Sequence, residues 1–129
     1  MRQRITLVTL VVPDYEAGID FYVRKLGFGL LEDTDLGGGK RWVRVAPSSG
    51  GVALLLAKAS GAIQEAAIGK QAGGRVAFFL ETDNFDRDYA RYTAAGVDFR
   101  EAPRDEPYGR VAVFADPFGN LWDLIQPAA

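Results

Sequence analysis

Val8-Thr9-Leu10-Val11-Val12-Pro13-Asp14-Tyr15 and Ala77-Phe78-Phe79-Leu80-Glu81-Thr82-Asp83-Asn84-Phe85 decide the fold, because they are one plan written twice. Each is a β-branched or aromatic run, then a turn-forming polar break, then the start of a helical pattern. The first helix carries Ile19, Tyr22 and Leu26 and stops at Gly27; the second carries Tyr89 and Tyr92 and stops at Gly96. Tyr15 and Phe85, like Tyr22 and Tyr92, lie 70 residues apart, and Gly27 and Gly96 lie 69 apart. A duplicated strand-helix-strands unit is a scaffold that builds a cleft between like halves.

Outward from these stretches, each copy continues in the same way. Ile5 to Val12 reads as a strand, and Asp14 is placed to cap the helix that follows. Ile19, Tyr22, Val23 and Leu26 have the spacing of one buried helical stripe. Phe28 to Leu31 reads as a short strand, Gly37-Gly38-Gly39 as a turn, and Arg41 to Ala46 with Val52 to Ala57 as a hairpin. In the second copy, Val76 to Glu81 is a strand, and Asp83 or Asn84 caps a helix with Phe85, Tyr89 and Tyr92 on one face. Val97 to Arg100, Arg110 to Ala115 and Leu121 to Gln126 complete the strands, the last two joined by Asp116-Pro117-Phe118-Gly119-Asn120. The expected fold class is α+β: two tandem βαβββ modules forming a cup-shaped, mostly antiparallel eight-stranded sheet with helices on one face. Module 1 spans about residues 5–57 and module 2 about 75–126. The Ala- and Gly-rich segment 58–74, with a short helix over Ile63 to Ile68, is either a plain linker or a flap over the cleft.

The bulk properties exclude several functions. The length suits one domain with a real core. Net charge is −2, with no basic run interleaved with aromatics, so no nucleic-acid partner is expected. The apolar run Ile5 to Pro13 is too short to span a bilayer, which predicts no membrane partner. There are no cysteines, which removes disulfides and thiolate metal sites and fits the reducing cytoplasm. There are no histidines either, which removes the usual general base near neutral pH. Ser48, Ser49 and Ser60 lie in loops with nothing to activate them. Gly69-Lys70-Gln71 is not a phosphate loop, since Gln64 stands where that pattern needs its first glycine.

Ile19-Asp20-Phe21-Tyr22, Leu26-Gly27-Phe28, Ala94-Ala95-Gly96-Val97 and above all Asp116-Pro117-Phe118-Gly119-Asn120-Leu121-Trp122-Asp123-Leu124 resemble the vicinal oxygen chelate superfamily of glyoxalases, bleomycin-resistance proteins and extradiol dioxygenases. The resemblance covers roughly Ile5 to Gln126. It implies a divalent ion held by one His, Glu or Gln from each of four strands. Carried across by the motifs, those positions are Leu7, Leu54, Ala77 and Asp123. Three are aliphatic, and a divalent cation needs several oxygen or nitrogen donors. The expectation is therefore no metal and no cofactor.

If those four positions face the cleft, strand alternation adds Thr9, Val11, Leu56, Phe79, Glu81 and Ile125 to its lining. Trp42 and Arg44 then face it with Val43 and Val45 on the helix side, and Arg110, Ala112 and Phe114 face it with Val111 and Val113 on the helix side. Tyr108 belongs either to a charged surface turn or to a rim closing over a ligand. The ligand-binding set is then Thr9, Trp42, Arg44, Leu54, Leu56, Phe79, Tyr108, Arg110 and Asp123. Trp42 is equally read as a plug in the core or in a subunit contact, and Arg44 and Arg110 as solvated charges or as partners of Glu81 and Asp123. Asp123, between Trp122 and Leu124, needs a partner or else takes a raised pKa, which makes it and Glu81 the candidate acid or base. Three functions follow: a metal-free binding protein for a small aromatic or amphipathic molecule; an enzyme with lyase, isomerase or dioxygenase-like chemistry in the same cleft; or a structural dimer with a vestigial pocket. The resemblance implies a homodimer in each case.

Overall fold

The structure, a computed structural model, describes residues 1–129. The chain divides into two compact units, Met1–Gly69 and Lys70–Ala129. Each is a small mixed sheet with its helix on one face, the expected α+β plan of two βαβββ modules, built as two sheets with nine strands between them where one sheet of eight is expected. No helix is long and apolar enough to cross a membrane.

In the first unit β1 (Leu7–Val12) leads to α1 (Tyr15–Ile19), then to β2 (Gly29–Gly37), β3 (Lys40–Ala46), β4 (Ala53–Lys58) and the short α2 (Ala62–Ala67). The sheet order is β1-β4-β3-β2, with β1 and β4 parallel. Asp14 caps α1 by accepting from the Ala17 amide at 2.7 Å. The helix then widens into a π-helical stretch over Asp20–Lys25, closed by the Leu26 amide on the Phe21 carbonyl. An α-helix turns about 100° per residue, and the wider π turn brings consecutive side chains closer to one direction. The wider turn lets Phe21 and Tyr22 both sit in the core, edge to face at 4.9 Å. Gly18 brings this helix down on the sheet, where a Cβ would stand 2.9 Å from the Leu56 methyl.

Strand β2 runs six residues beyond the predicted end at Leu31. Glu32-Asp33-Thr34-Asp35 looks like loop chemistry in sequence. It is held in a strand by its neighbour: Arg41 pairs with Asp33 at 2.6 Å, and Arg44 with Glu32, directly opposite, at 3.0 Å. Gly38 and Gly39, at φ 64° and 81°, make the tight hairpin turn that follows.

The second unit contains β5 (Val76–Glu81), α3 (Phe85–Ala94), β6 (Asp98–Phe99), β7 (Arg104–Glu106), β8 (Gly109–Ala115) and β9 (Leu121–Pro127). Its sheet order is β5-β9-β8-β6, with β5 and β9 parallel and β7 also on β8. Asn84, not Asp83, caps α3. The strand predicted over Val97 to Arg100 is cut to two residues, extended by the Arg100 amide donating to the Val113 carbonyl at 2.8 Å, and regular pairing returns at β7. Pro103 interrupts it because it has no amide to donate. The Glu101 carboxylate fills the gap by accepting from the Val113 amide at 3.1 Å. The core on the helix side is a run of rings: Trp122 lies 4.5 Å from Phe78 and stacks on Phe114 at 5.9 Å, and Tyr92 and Phe99 close on Phe114. Asp116 is buried and builds the turn before β9: its carboxylate accepts from the amides of Phe118 and Asn120 and from the Asn120 side chain.

Candidate functional site

Leu10 and Val12 on β1, and Val43 and Val45 on β3, are fully buried toward the helix. Alternation therefore turns Thr9, Val11, Trp42 and Arg44 to the opposite, open face, as the sequence predicts. On β4 the expectation fails by one residue. Leu54 and Leu56 are buried on the helix side, Leu56 pairing with Leu10 and Val43. Leu55, the partner of both Thr9 and Arg44, shares the open face with Ala57. A one-residue slip sends every side chain of a strand to the other face. Ala53 to Ala57 is apolar at every position, so its sequence carries no sign of which face is which.

At the end of this sheet, where β1 and β4 finish and β3 begins, the first unit holds a cavity of about 680 Å³. Thr9, Trp42, Leu55 and Ala57 form its strand wall, with Leu56 bordering it from the core side. Gly38, Gly39, Lys40 and Arg41 enclose one edge; Lys58, Ala59, Ser60 and Gln64 enclose the other. The Gln64 side chain accepts from the Ser60 amide at 2.9 Å, which ties α2 back to the end of β4. Tyr15 also lines the cavity and accepts from the Arg41 amide through its hydroxyl. Of the predicted ligand set this cavity gathers Thr9, Trp42 and Leu56. Arg44 lies along the same face but is engaged with Glu32, and Leu54 is core. Tyr15, Lys40, Lys58, Ser60 and Gln64 were not legible as site residues, since each stands at an element end or in the supposed linker.

In the second unit the same one-residue slip affects β8. Ala112 and Phe114 are buried on the helix side, and Arg110 goes with them, over the Phe85 ring at 5.3 Å and paired with Asp105 and Asp86. Val111 and Val113 share the other face of the sheet with Ile125 and Asp123, their partners on β9, and Val111 is fully buried there. Phe79 pairs with Asp123 and is exposed, and Glu81 is exposed at the end of β5. The pair Phe79 and Asp123 is thus the counterpart of Thr9 and Leu55. The true offset on the last strand is 68 residues, and the 69 taken from Gly27 and Gly96 misplaces it by one.

Asp123 Oδ1 is buried and accepts no hydrogen bond. Burial pushes its carboxyl above the usual carboxylate range; the Arg104 charge opposes this and Glu101 adds to it. Arg104 is fully engaged, donating to Glu101 at 3.1 Å, Glu106 at 2.9 Å and the Tyr108 hydroxyl at 3.3 Å. Tyr108 is therefore a partner of a charged network on β7. Glu101 and Arg104, absent from the predicted set, are the groups that set the electrostatics of Asp123.

A sequence profile described as the Glyoxalase/Bleomycin resistance protein/Dioxygenase superfamily matches residues 4–124. The chain belongs to this superfamily. An uncharacterized protein of Shewanella frigidimarina (strain NCIMB 400) is 55% identical over 128 residues, 98% of this chain and 95% of that protein. The crystal structure of UcmS2 is 32% identical, with a TM-score of 0.83 over 97% of this chain and 98% of that one. TnmS3, described as an antibiotic binding protein from Streptomyces sp. CB03234, is 34% identical, with a TM-score of 0.79 over 98% of both chains.

The superfamily resemblance implies a divalent ion, and the side chains do not fit one. With the corrected register the four positions are Leu7, Leu55, Ala77 and Asp123, still one carboxylate among aliphatic groups. No three His, Cys, Asp or Glu side chains come together anywhere in the chain as a metal-holding group. A lone carboxylate gives a divalent cation too little to compete with its hydration shell.

Proposed function

We propose that this superfamily member is a binding protein that holds a small planar aromatic or amphipathic molecule in the cavity of its first unit, without a metal ion, as a cytoplasmic homodimer. The observation that carries the reading is the hollow itself: about 680 Å³, walled by Trp42 and by the aliphatic side chains of Leu55 and Ala57, with polar and charged side chains, Lys40, Arg41, Lys58, Ser60 and Gln64, along its edges. Small-molecule sites have this size and combine an apolar wall with polar anchors. Trp42 is 36% exposed, so its ring keeps a free surface for stacking. The likeness to TnmS3 over nearly the whole of both chains supports extending antibiotic binding to this chain as the ligand type to try first.

The test is a thermal-shift screen over planar aromatic compounds, antibiotics among them. A ligand specific for the folded state raises the melting temperature by mass action. The expected result is a hit whose shift disappears in Ala57→Trp, which fills the cavity. No shift across the panel would favour a vestigial pocket.

A second reading rests on one observation, the unpartnered and partly buried Asp123 carboxylate beside Glu101 and Arg104. A carboxyl whose pKa is raised by burial holds its proton more tightly than a free carboxyl does, which makes it a candidate acid or base. An enzyme of that kind would lose turnover in Asp123→Asn without any fall in melting temperature; turnover surviving that substitution would remove the reading.

A further inference from the structure

We propose that the cavity of the first unit selects anionic aromatic molecules, planar rings bearing a carboxylate or phenolate, through Lys40 and Lys58. This rests on the cavity being a binding site and adds the charge of what it binds.

The charged side chains on its wall are Lys40, Arg41 and Lys58, with no Asp or Glu. The chain as a whole carries a net charge of −2, so the cavity reverses the sign of its surroundings. Arg41 is neutralised in place: it pairs with Asp33 at 2.6 Å and Glu16 at 3.0 Å and lies over the Tyr15 ring at 5.2 Å. No carboxylate pairs with Lys40 or Lys58. Their positions frame the aromatic wall. Lys40 opens β3 two residues before Trp42, on the same strand face. Lys58 closes β4, and the pairing of Val43 with Leu56 sets Ala57 beside Trp42. By the same alternation Lys58 lies on the face of Leu56 and of its β1 partner Val12, so it borders the cavity at the end of the sheet from the side opposite Trp42. A ring lying on Trp42 therefore has Lys40 on its own strand face, the exposed Lys58 at the end of the sheet, and no carboxylate among the lining residues. Two solvent-facing lysines attract an anionic substituent and repel a cationic one by Coulomb forces that salt screens.

The experiment measures calorimetric affinities for three ring-matched probes: 2-naphthoate, 2-naphthalenemethanol and 2-naphthylmethylammonium. They are compared at low salt and at about 0.5 M salt, where the Debye length falls from tens of ångströms to a few. The expected order is anion, neutral, cation, with 2-naphthoate about tenfold tighter than the alcohol at low salt and the gap narrowing at high salt. In Lys40→Gln/Lys58→Gln the gap closes while the alcohol binds as before, and in Ala57→Trp all binding is lost. Equal binding of the anion and the alcohol by the unaltered protein at low salt overturns the proposal, as does a preference that survives in the double variant. If Ala57→Trp still abolishes binding in those cases, the binding reading stands alone. No probe binding at millimolar concentration, or binding untouched by Ala57→Trp, overturns both.

Discussion

The two units share one topology and have spent it differently. In the first, the second strand of the plan is nine residues long, its hairpin turns through consecutive glycines, and the end of the sheet is hollow. In the second, the corresponding strand is broken by Pro103 into pieces of two and three residues, and the interior is filled with stacked rings. The charges differ in the same sense. The first unit leaves two lysines unpaired at its cavity, while the second consumes Arg104 in a web of Glu101, Glu106 and Tyr108. The lesson is that a duplicated scaffold can fill the sheet of one copy and leave a hollow at the end of the other, because what fills a sheet's end is set by a few side chains and a turn.

The largest test of that division is a pair of tryptophan truncations. Trp122→Ala removes a buried ring from between Phe78 and Phe114 and should cost about 3–5 kcal/mol by denaturant unfolding. Trp42→Ala should cost clearly less than Trp122→Ala, because its ring is 36% exposed where that of Trp122 is buried, yet it should weaken ligand binding. Comparable losses of stability from both would erase the contrast.

Next in size is Asp116→Ala in the turn before β9. It orphans the buried amide of Asn120 and the Asn120 side chain, and should cost about 2 kcal/mol in the same assay. A neutral result would mean that the turn holds its shape without the carboxylate.

The smallest expected effect concerns Asp123. Its folded-state pKa is raised by burial, so the folded protein holds this proton more tightly than the unfolded chain does. Its contribution to stability is therefore lost as pH rises from the unfolded carboxylate value through the raised folded one. Asp123→Asn should accordingly gain in melting temperature relative to the parent more at pH 7 than at pH 4. A difference independent of pH would show that the carboxyl is not perturbed.

Much of this was legible in the chain, and the failures share one physical cause. The repeat, the helix caps and the turn at Asp116 follow from local chemistry. The facing of β1 and β3 could be read because polar residues interrupt them: Thr9 on one, Arg41 and Arg44 on the other. β4 and the run 111–115 of β8 are interior and apolar on both faces, so their sequence does not announce side-chain parity, and the expected facing is off by one residue in both. That error moved Leu54, Leu56, Arg110, Ala112 and Phe114 to the wrong face. The cavity's edge residues, Lys40, Lys58 and Gln64, come together only through pairing in space, which no spacing along the chain announces.

The most direct test is the crystal structure of the protein with the tightest compound from the thermal-shift screen, together with metal analysis of the same preparation. The account predicts the compound's ring against Trp42 and the β4 wall at Leu55 and Ala57, its polar group toward Lys40 or Lys58, and no stoichiometric divalent metal. A cation held by three or more protein atoms, or the compound bound away from Trp42, would contradict it.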